Sequence, residues 1–226
     1  MQQKLEQQGT LLVSTTYGAN VRLFAAMLRA EKVIVDCHSS IRRHQHAHHR
    51  MVVASAAGSQ TLSVPLCANS TGYGFSVYDA KISETTDWRR LHWGALYSAY
   101  GKSPFFDYIA ADLHDLLCDT SITTLGALTE RLDNLIIDFL DLPIRLERMH
   151  TAIPENIAAT DFRGMVDEKN SPKQLPGIND VPYYQVWAQK HGFQPGLSIL
   201  DLLFNTGREA IFTLLEMSKD FSVNEH

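Results

Sequence analysis

Two apolar runs, TLLVST at residues 10–15 and KVIVD at residues 32–36, are separated in this chain by the stretch NVRLFAAMLRA. In that stretch Leu23, Phe24, Met27 and Leu28 recur at helical spacing behind Asn20, a residue type that caps helix N-termini. A strand, a short helix and a second strand in this order require a crossover, so the two strands are expected to run parallel. Open parallel sheets gather their ligands outside the carboxyl ends of the strands. Tyr17 and Asp36 fall near that edge.

The pattern then changes. Residues 50–56 and 60–66 are apolar runs joined by Ala57-Gly58-Ser59, which reads as a hairpin, and residues 78–82 read as a further strand. From Asp87 onward the period is helical, with Trp88, His92, Ala95, Leu96 and Ala99 on one face. Pro104 suits the first turn of another helix, whose stripe is Phe105, Ile109, Leu113, Leu116 and Leu117. Residues 125–142 carry Leu128, Leu132, Leu135, Ile136 and Phe139, the clearest amphipathic pattern of all. These helices are expected to cover the sheet. Residues 151–182 hold Pro154, Pro172, Pro176 and Pro182 with no period, as a lid, binding loop or linker does. Two more helices follow, one through Phe204 that Gly207 ends and one reaching Leu215. The expected fold is α/β: a mixed sheet with an N-terminal strand–helix–strand unit and hairpin, covered by a C-terminal helical half. One domain would span residues 10–217.

Composition narrows the function. With 20 Lys and Arg against 25 Asp and Glu, the net charge of -5 argues against a duplex nucleic-acid binder. No apolar run approaches the roughly 18 residues that a membrane-spanning helix needs. The N-terminal MQQKLEQQGT lacks the apolar core of a signal peptide. Cys37, Cys67 and Cys118 are odd in number and widely spaced, which suits a reducing cytoplasm better than a disulfide framework. No P-loop, GxGxxG, nucleophile elbow or Ser/His/Asp order is present, and no particular cofactor is indicated.

Several segments in order carry a resemblance. They are DCHSS at 36–40, Arg50 with a hairpin ending LSVP at 62–65, DWRRLHWGALYSAYGKSPFFDY at 87–108, and YYQVWAQKHGF with LSILDLLFN between 183 and 205. Together they resemble the WbqC-like family, the last pair its Bacteroidetes-type branch. The resemblance implies a place in bacterial surface-polysaccharide or O-antigen biosynthesis, with acyl or aminoacyl transfer on a nucleotide-linked sugar. Many members carry His-Gln-Pro-x-Tyr after the first strand. Here Val13-Ser14-Thr15-Thr16-Tyr17 keeps only the tyrosine, so a step that used that histidine is missing or has moved to another group.

Three groups of residues can carry chemistry. His92 is a candidate general base, with Trp88 four residues before it as a stacking face and Tyr100 further along. The same spacing suits a tryptophan that caps the core and a histidine bonded to a backbone carbonyl. Asp36 and His38 are candidate catalytic residues beside Arg50, which can clamp a phosphate or carboxylate or tie the hairpin to the sheet through Asp36. His44, His46 and His48 would share one face of an extended run ending at His49, a spacing that can hold a metal and that solvated histidines also show. Asp201 and Asn205, four apart in an apolar helix, can line a pocket or form its wet face. Tyr17 completes the substrate-binding set.

Three functions remain open at this level. The first is a transferase acting on a small molecule such as a nucleotide-linked sugar, with residues 151–182 as its lid. The second is a non-catalytic binding or assembly protein of the same pathway, and the third a metal-dependent hydrolase using the histidine run.

Overall fold

The computed structural model describes residues 6–41, 48–72, 74–163 and 175–223. The first unit is as expected: β1 (Thr10–Ser14), α1 (Val21–Arg29) and β2 (Lys32–Asp36). The strands pair in parallel from Thr10↔Lys32 to Ser14↔Asp36. Asn20 caps α1 by accepting from the Leu23 amide. Val21 to Leu28 are all buried, so α1 is a core helix rather than a surface one.

Two further strands complete the sheet. β5 (Leu146–Met149) runs parallel to β2, and β6 (Thr160–Asp161) runs parallel to β1. The order is β5-β2-β1-β6. Neither strand is visible in the sequence, because LERM alternates in charge and β6 pairs only Leu11↔Thr160 and Leu12↔Asp161. The chain leaves the sheet at the β5 edge and re-enters at the opposite edge, which makes the carboxyl ends of β1 and β6 a topological switch point.

The hairpin forms a separate antiparallel pair, β3 (Arg50–Ser55) and β4 (Gly58–Ser63). Its turn lies at Ala56-Ala57, one residue earlier than the Ala57-Gly58-Ser59 reading, and Ser55 pairs with Gly58. Residues 78–82 are not a strand. They lie across the start of α4 (Leu125–Leu140), where the Ala80 and Tyr78 carbonyls accept from the Leu125 and Gly126 amides. Helix starts leave such N–H groups without partners inside the helix, so this segment serves as a backbone cap.

Helices α2 (Trp88–Tyr100), α3 (Phe106–Cys118) and α4 pack in sequence beside the hairpin and sheet. The α3 stripe begins at Phe106 rather than Phe105, which is only half-buried. The C-terminal helices are α5 (Ala188–His191), α6 (Ile199–Thr206) and α7 (Ala210–Met217). Leu197 and Ser198, at the start of α6, tie three elements together. The Leu197 carbonyl accepts from the Val21 amide, the Ser198 amide donates to Val52 of β3, and Ile199 donates to Ala19. The first turn of α1, which many doubly wound folds leave open for phosphate, is therefore occupied by this chain's own backbone. Arg22, buried in α1, donates from Nε and Nη2 to Asp180 at 2.7 and 2.5 Å, and so fixes the end of the long loop. Among the described residues, no helix is long and apolar enough to cross a membrane.

Candidate functional site

At the switch point the first acid is Asp36, 3% exposed. Its Oδ1 accepts from the His38 and Ser39 amides, each at 3.0 Å, and its Oδ2 accepts from Arg163 Nη1 at 3.0 Å. Arg163 is braced from behind by Asp161, whose Oδ2 receives Nη2 at 2.8 Å. Thr15 Oγ1 donates to the Asp36 carbonyl at 3.0 Å, and Ser14 Oγ donates to the Arg163 carbonyl at 3.1 Å. The ends of β1, β2 and β6 are thus joined by side chains as well as by the ladder. The cation that meets Asp36 is Arg163, from within residues 151–182, and not Arg50. The His38 ring is exposed, and only its backbone meets Asp36.

Arg50 lies beside the same edge by a different route. Two residues before it, His48 is buried and its Nδ1 donates to the Thr15 carbonyl at 2.6 Å. Opposite it in the hairpin is Ser63, whose carbonyl accepts from His92 Nε2 at 3.2 Å. The half-buried Arg50 has its Nε shielded from solvent with no hydrogen-bond partner among the described residues. A buried charged donor without an acceptor is costly, and an anion is the group that relieves it.

His92 is only 4% exposed and both its nitrogens are engaged. Nε2 carries the proton, because its partner is a carbonyl, so Nδ1 accepts from the Tyr17 hydroxyl at 3.0 Å. The Trp88 ring meets it edge-on at 5.0 Å. Burial lowers its pKa to about 4, against which the bond to Ser63 acts weakly. Burial likewise raises the Tyr17 phenol. In this arrangement His92 and Tyr17 form a satisfied neutral pair against the Trp88 ring, whose Nε1 is buried with no hydrogen-bond partner among the described residues. The described conformation presents no open imidazole nitrogen to a substrate.

Tyr100, Asp201 and Asn205 form a second, wholly buried group at the far end of β3, where the Tyr100 hydroxyl accepts from the Ala54 amide at 2.8 Å. Asp201 Oδ2 accepts from Tyr183 Oη at 2.7 Å and Gln185 Nε2 at 2.8 Å. These residues meet one another but not Asp36.

Of the histidine run, His44 and His46 lie outside the described residues. His48 turns inward, as above, and His49 is half-buried. No group of three His, Cys, Asp or Glu residues placed to hold a metal occurs among the described residues.

Sequence reasoning missed Arg163 and Asp161, whose only signal was charge in an aperiodic stretch. It also missed a charged cluster beside β5. There Arg148 faces Asp133 at 3.4 Å and Glu130 at 3.7 Å, and the Tyr78 hydroxyl donates to Glu130 at 2.7 Å. Burial pushes Asp133 up to about 7 despite the opposing Arg148. Between the two halves, the Cys37 thiol is buried, raised by that burial, and bonded to Thr15 Oγ1 at 3.7 Å.

A model of the WbqC-like protein family matches residues 21–165, a span holding Asp36, Arg50, Trp88, His92, Tyr100 and Arg163. Uncharacterized protein Rv1507c of Mycobacterium tuberculosis is 30% identical over 188 residues, covering 70% of this chain and 77% of its own. No solved structure matches.

Proposed function

The chain belongs to the WbqC-like protein family, and from that premise we propose that it binds a nucleotide-linked sugar beside the carboxyl edge of its parallel sheet. On this reading it serves bacterial surface-polysaccharide biosynthesis in the cytoplasm, as an enzyme of acyl or aminoacyl transfer. The observation that carries the binding is the Arg50 Nε, buried and without an acceptor among the described residues. A phosphate oxygen supplies that acceptor, and the planar guanidinium suits it better than an ammonium would. The Asp36–Arg163 pair holds the chain after β6 against the end of β2, which would position residues 151–182 as a cover over the ligand.

A second reading has its own support. His92 is committed on both nitrogens and the expected His-Gln after β1 is absent, so a protein that holds the intermediate without transforming it also fits.

Calorimetric titration with UDP- and dTDP-linked amino sugars tests the binding. Arg50→Ala is expected to weaken it roughly tenfold to a hundredfold, the worth of one or two charge-assisted hydrogen bonds. Equal affinity of wild type and variant, or no binding of any nucleotide sugar, would sink this reading. Mass spectrometry after addition of acyl-thioester donors separates the two forms of it. Acylated sugar supports transfer, whereas a raised melting temperature with the ligand intact supports the binding protein.

A further inference from the structure

We infer that α2 pairs with α2 of a second copy of this chain, antiparallel across a two-fold axis that passes beside Gly94. Asp87, Leu91, Gly94, Ser98 and Lys102 follow one another at steps of three or four residues and are all exposed, so they form one stripe along the helix and its two flanks. The middle of the stripe borders a hollow. There Ser55, Ala56 and Gln60 of the hairpin face Leu91, Gly94 and Ala95 across an open groove of about 350 Å³. Leu91 stands 59% exposed on the same patch. A knob beside a hollow suits an isologous interface, in which each copy presents the same surface that it receives. Gly94 adds a second, independent sign. Glycine weakens a helix interior, yet a Cβ built at Gly94 meets no atom of the described residues within 4 Å, unlike one at Gly126. Its own fold therefore makes no use of the missing side chain, whereas a second backbone approaching this face would.

The charges select the occupant and its direction. Asp87 lies seven residues before Gly94 and Lys102 seven after Ala95. A two-fold axis at the level of Gly94 and Ala95 therefore sets each Asp87 on the other copy's lysine, and each Leu91 toward the other copy's Ser98. Asp87 Oδ2 accepts from Arg90, but its Oδ1 and the Lys102 ammonium have no hydrogen-bond or ion-pair partner among the described residues. A parallel copy would instead place acid on acid and lysine on lysine, which repulsion disfavours. Exposed pairs at a rim fix direction more than they add affinity. A helix of 13 residues also offers an interface at the small end of the stable range, so a dissociation constant on the order of micromolar is expected.

The test is sedimentation equilibrium of the full chain over a range spanning that constant, from about 0.1 to about 200 µM. Wild type is expected to move from 25.4 kDa toward twice that mass as concentration rises. Gly94→Gln fills the stripe without touching its own chain, and should weaken association roughly tenfold or more. Its melting temperature, measured at dilutions where both proteins are monomers, should stay level or rise by about 1–3 °C, which separates lost pairing from lost folding. Asp87→Lys and Lys102→Glu should each weaken association, and the double variant should restore it. A wild type that keeps the monomer mass throughout overturns the inference and leaves the groove to a partner of another kind. A dimer that Gly94→Gln leaves intact forms through a different face, which also overturns it. So does a double exchange that restores nothing, because the antiparallel register then fails.

Discussion

Gly126→Ala is expected to destabilise the fold by about 3 kcal/mol or more, toward the upper end of what overpacking costs. Gly126 is buried in the first turn of α4, and a Cβ built there falls 2.2 Å from Cγ and Cδ2 of Tyr78 and 2.7 Å from its Cα. A ring alone could rotate away. A backbone atom cannot, and Tyr78 is held twice, by its carbonyl on the Gly126 amide at 3.0 Å and by its hydroxyl on Glu130 at 2.7 Å. Relief would require lifting the start of α4 from the segment that caps it. Urea denaturation measures this directly, and a loss below about 1 kcal/mol would show that the two segments can part more easily than their contacts suggest.

The second large effect concerns acid. His92 has a pKa near 4 in the fold, because burial disfavours its cation, against about 6.5 for the unfolded chain. Between those values the unfolded chain binds a proton that the folded one refuses, so stability rises with pH across this window and is lost as pH falls from 6.5 toward 4. At about 1.4 kcal/mol per pH unit, the loss approaches ~3 kcal/mol at pH 4. Asp133 acts with the opposite sign. Its folded value near 7 lies above the unfolded one, so its stabilising protonation is present at low pH and is lost as pH rises toward 7. The two overlap, and the raw wild-type curve mixes them. The difference between wild type and His92→Gln isolates the histidine, because glutamine can bond to Ser63 and Tyr17 but does not titrate. Parallel curves for the two proteins between pH 4 and 7 would mean that His92 is already wet in the native state.

These two residues also show what the sequence could and could not convey. The unit from Thr10 to Asp36 was legible to within a residue at each boundary, because a period of 3.6 between two β-branched runs admits few other folds. β6 was not legible, since two paired residues leave no pattern; their pairing follows from the sheet already formed. Asp36 was identifiable as an acid at a strand end, but its partner Arg163 lies 127 residues away and reaches it only through β6. Helical spacing placed Trp88 and His92 on one face. It could not say that this face turns inward onto Tyr17 and Ser63, because both a general base and a buried hydrogen-bonding histidine obey the same period. The candidate set thus divides: Asp36 and Arg50 border the sheet edge, while Tyr100, Asp201 and Asn205 belong to another place.

The joint at Leu197 and Ser198 bears on how the chain is made. The amide of Val21 and the carbonyl of Val52, both in the first quarter of the molecule, find their partners only in residues synthesised near the end. At typical rates of about 5–20 residues per second, the N-terminal strand–helix–strand unit waits on the order of ten seconds on the ribosome with α1 unable to seat its first turn. An apolar helix waiting that long is a natural client for a chaperone. The C-terminal helices, far from decorating a finished core, determine the moment at which it can close.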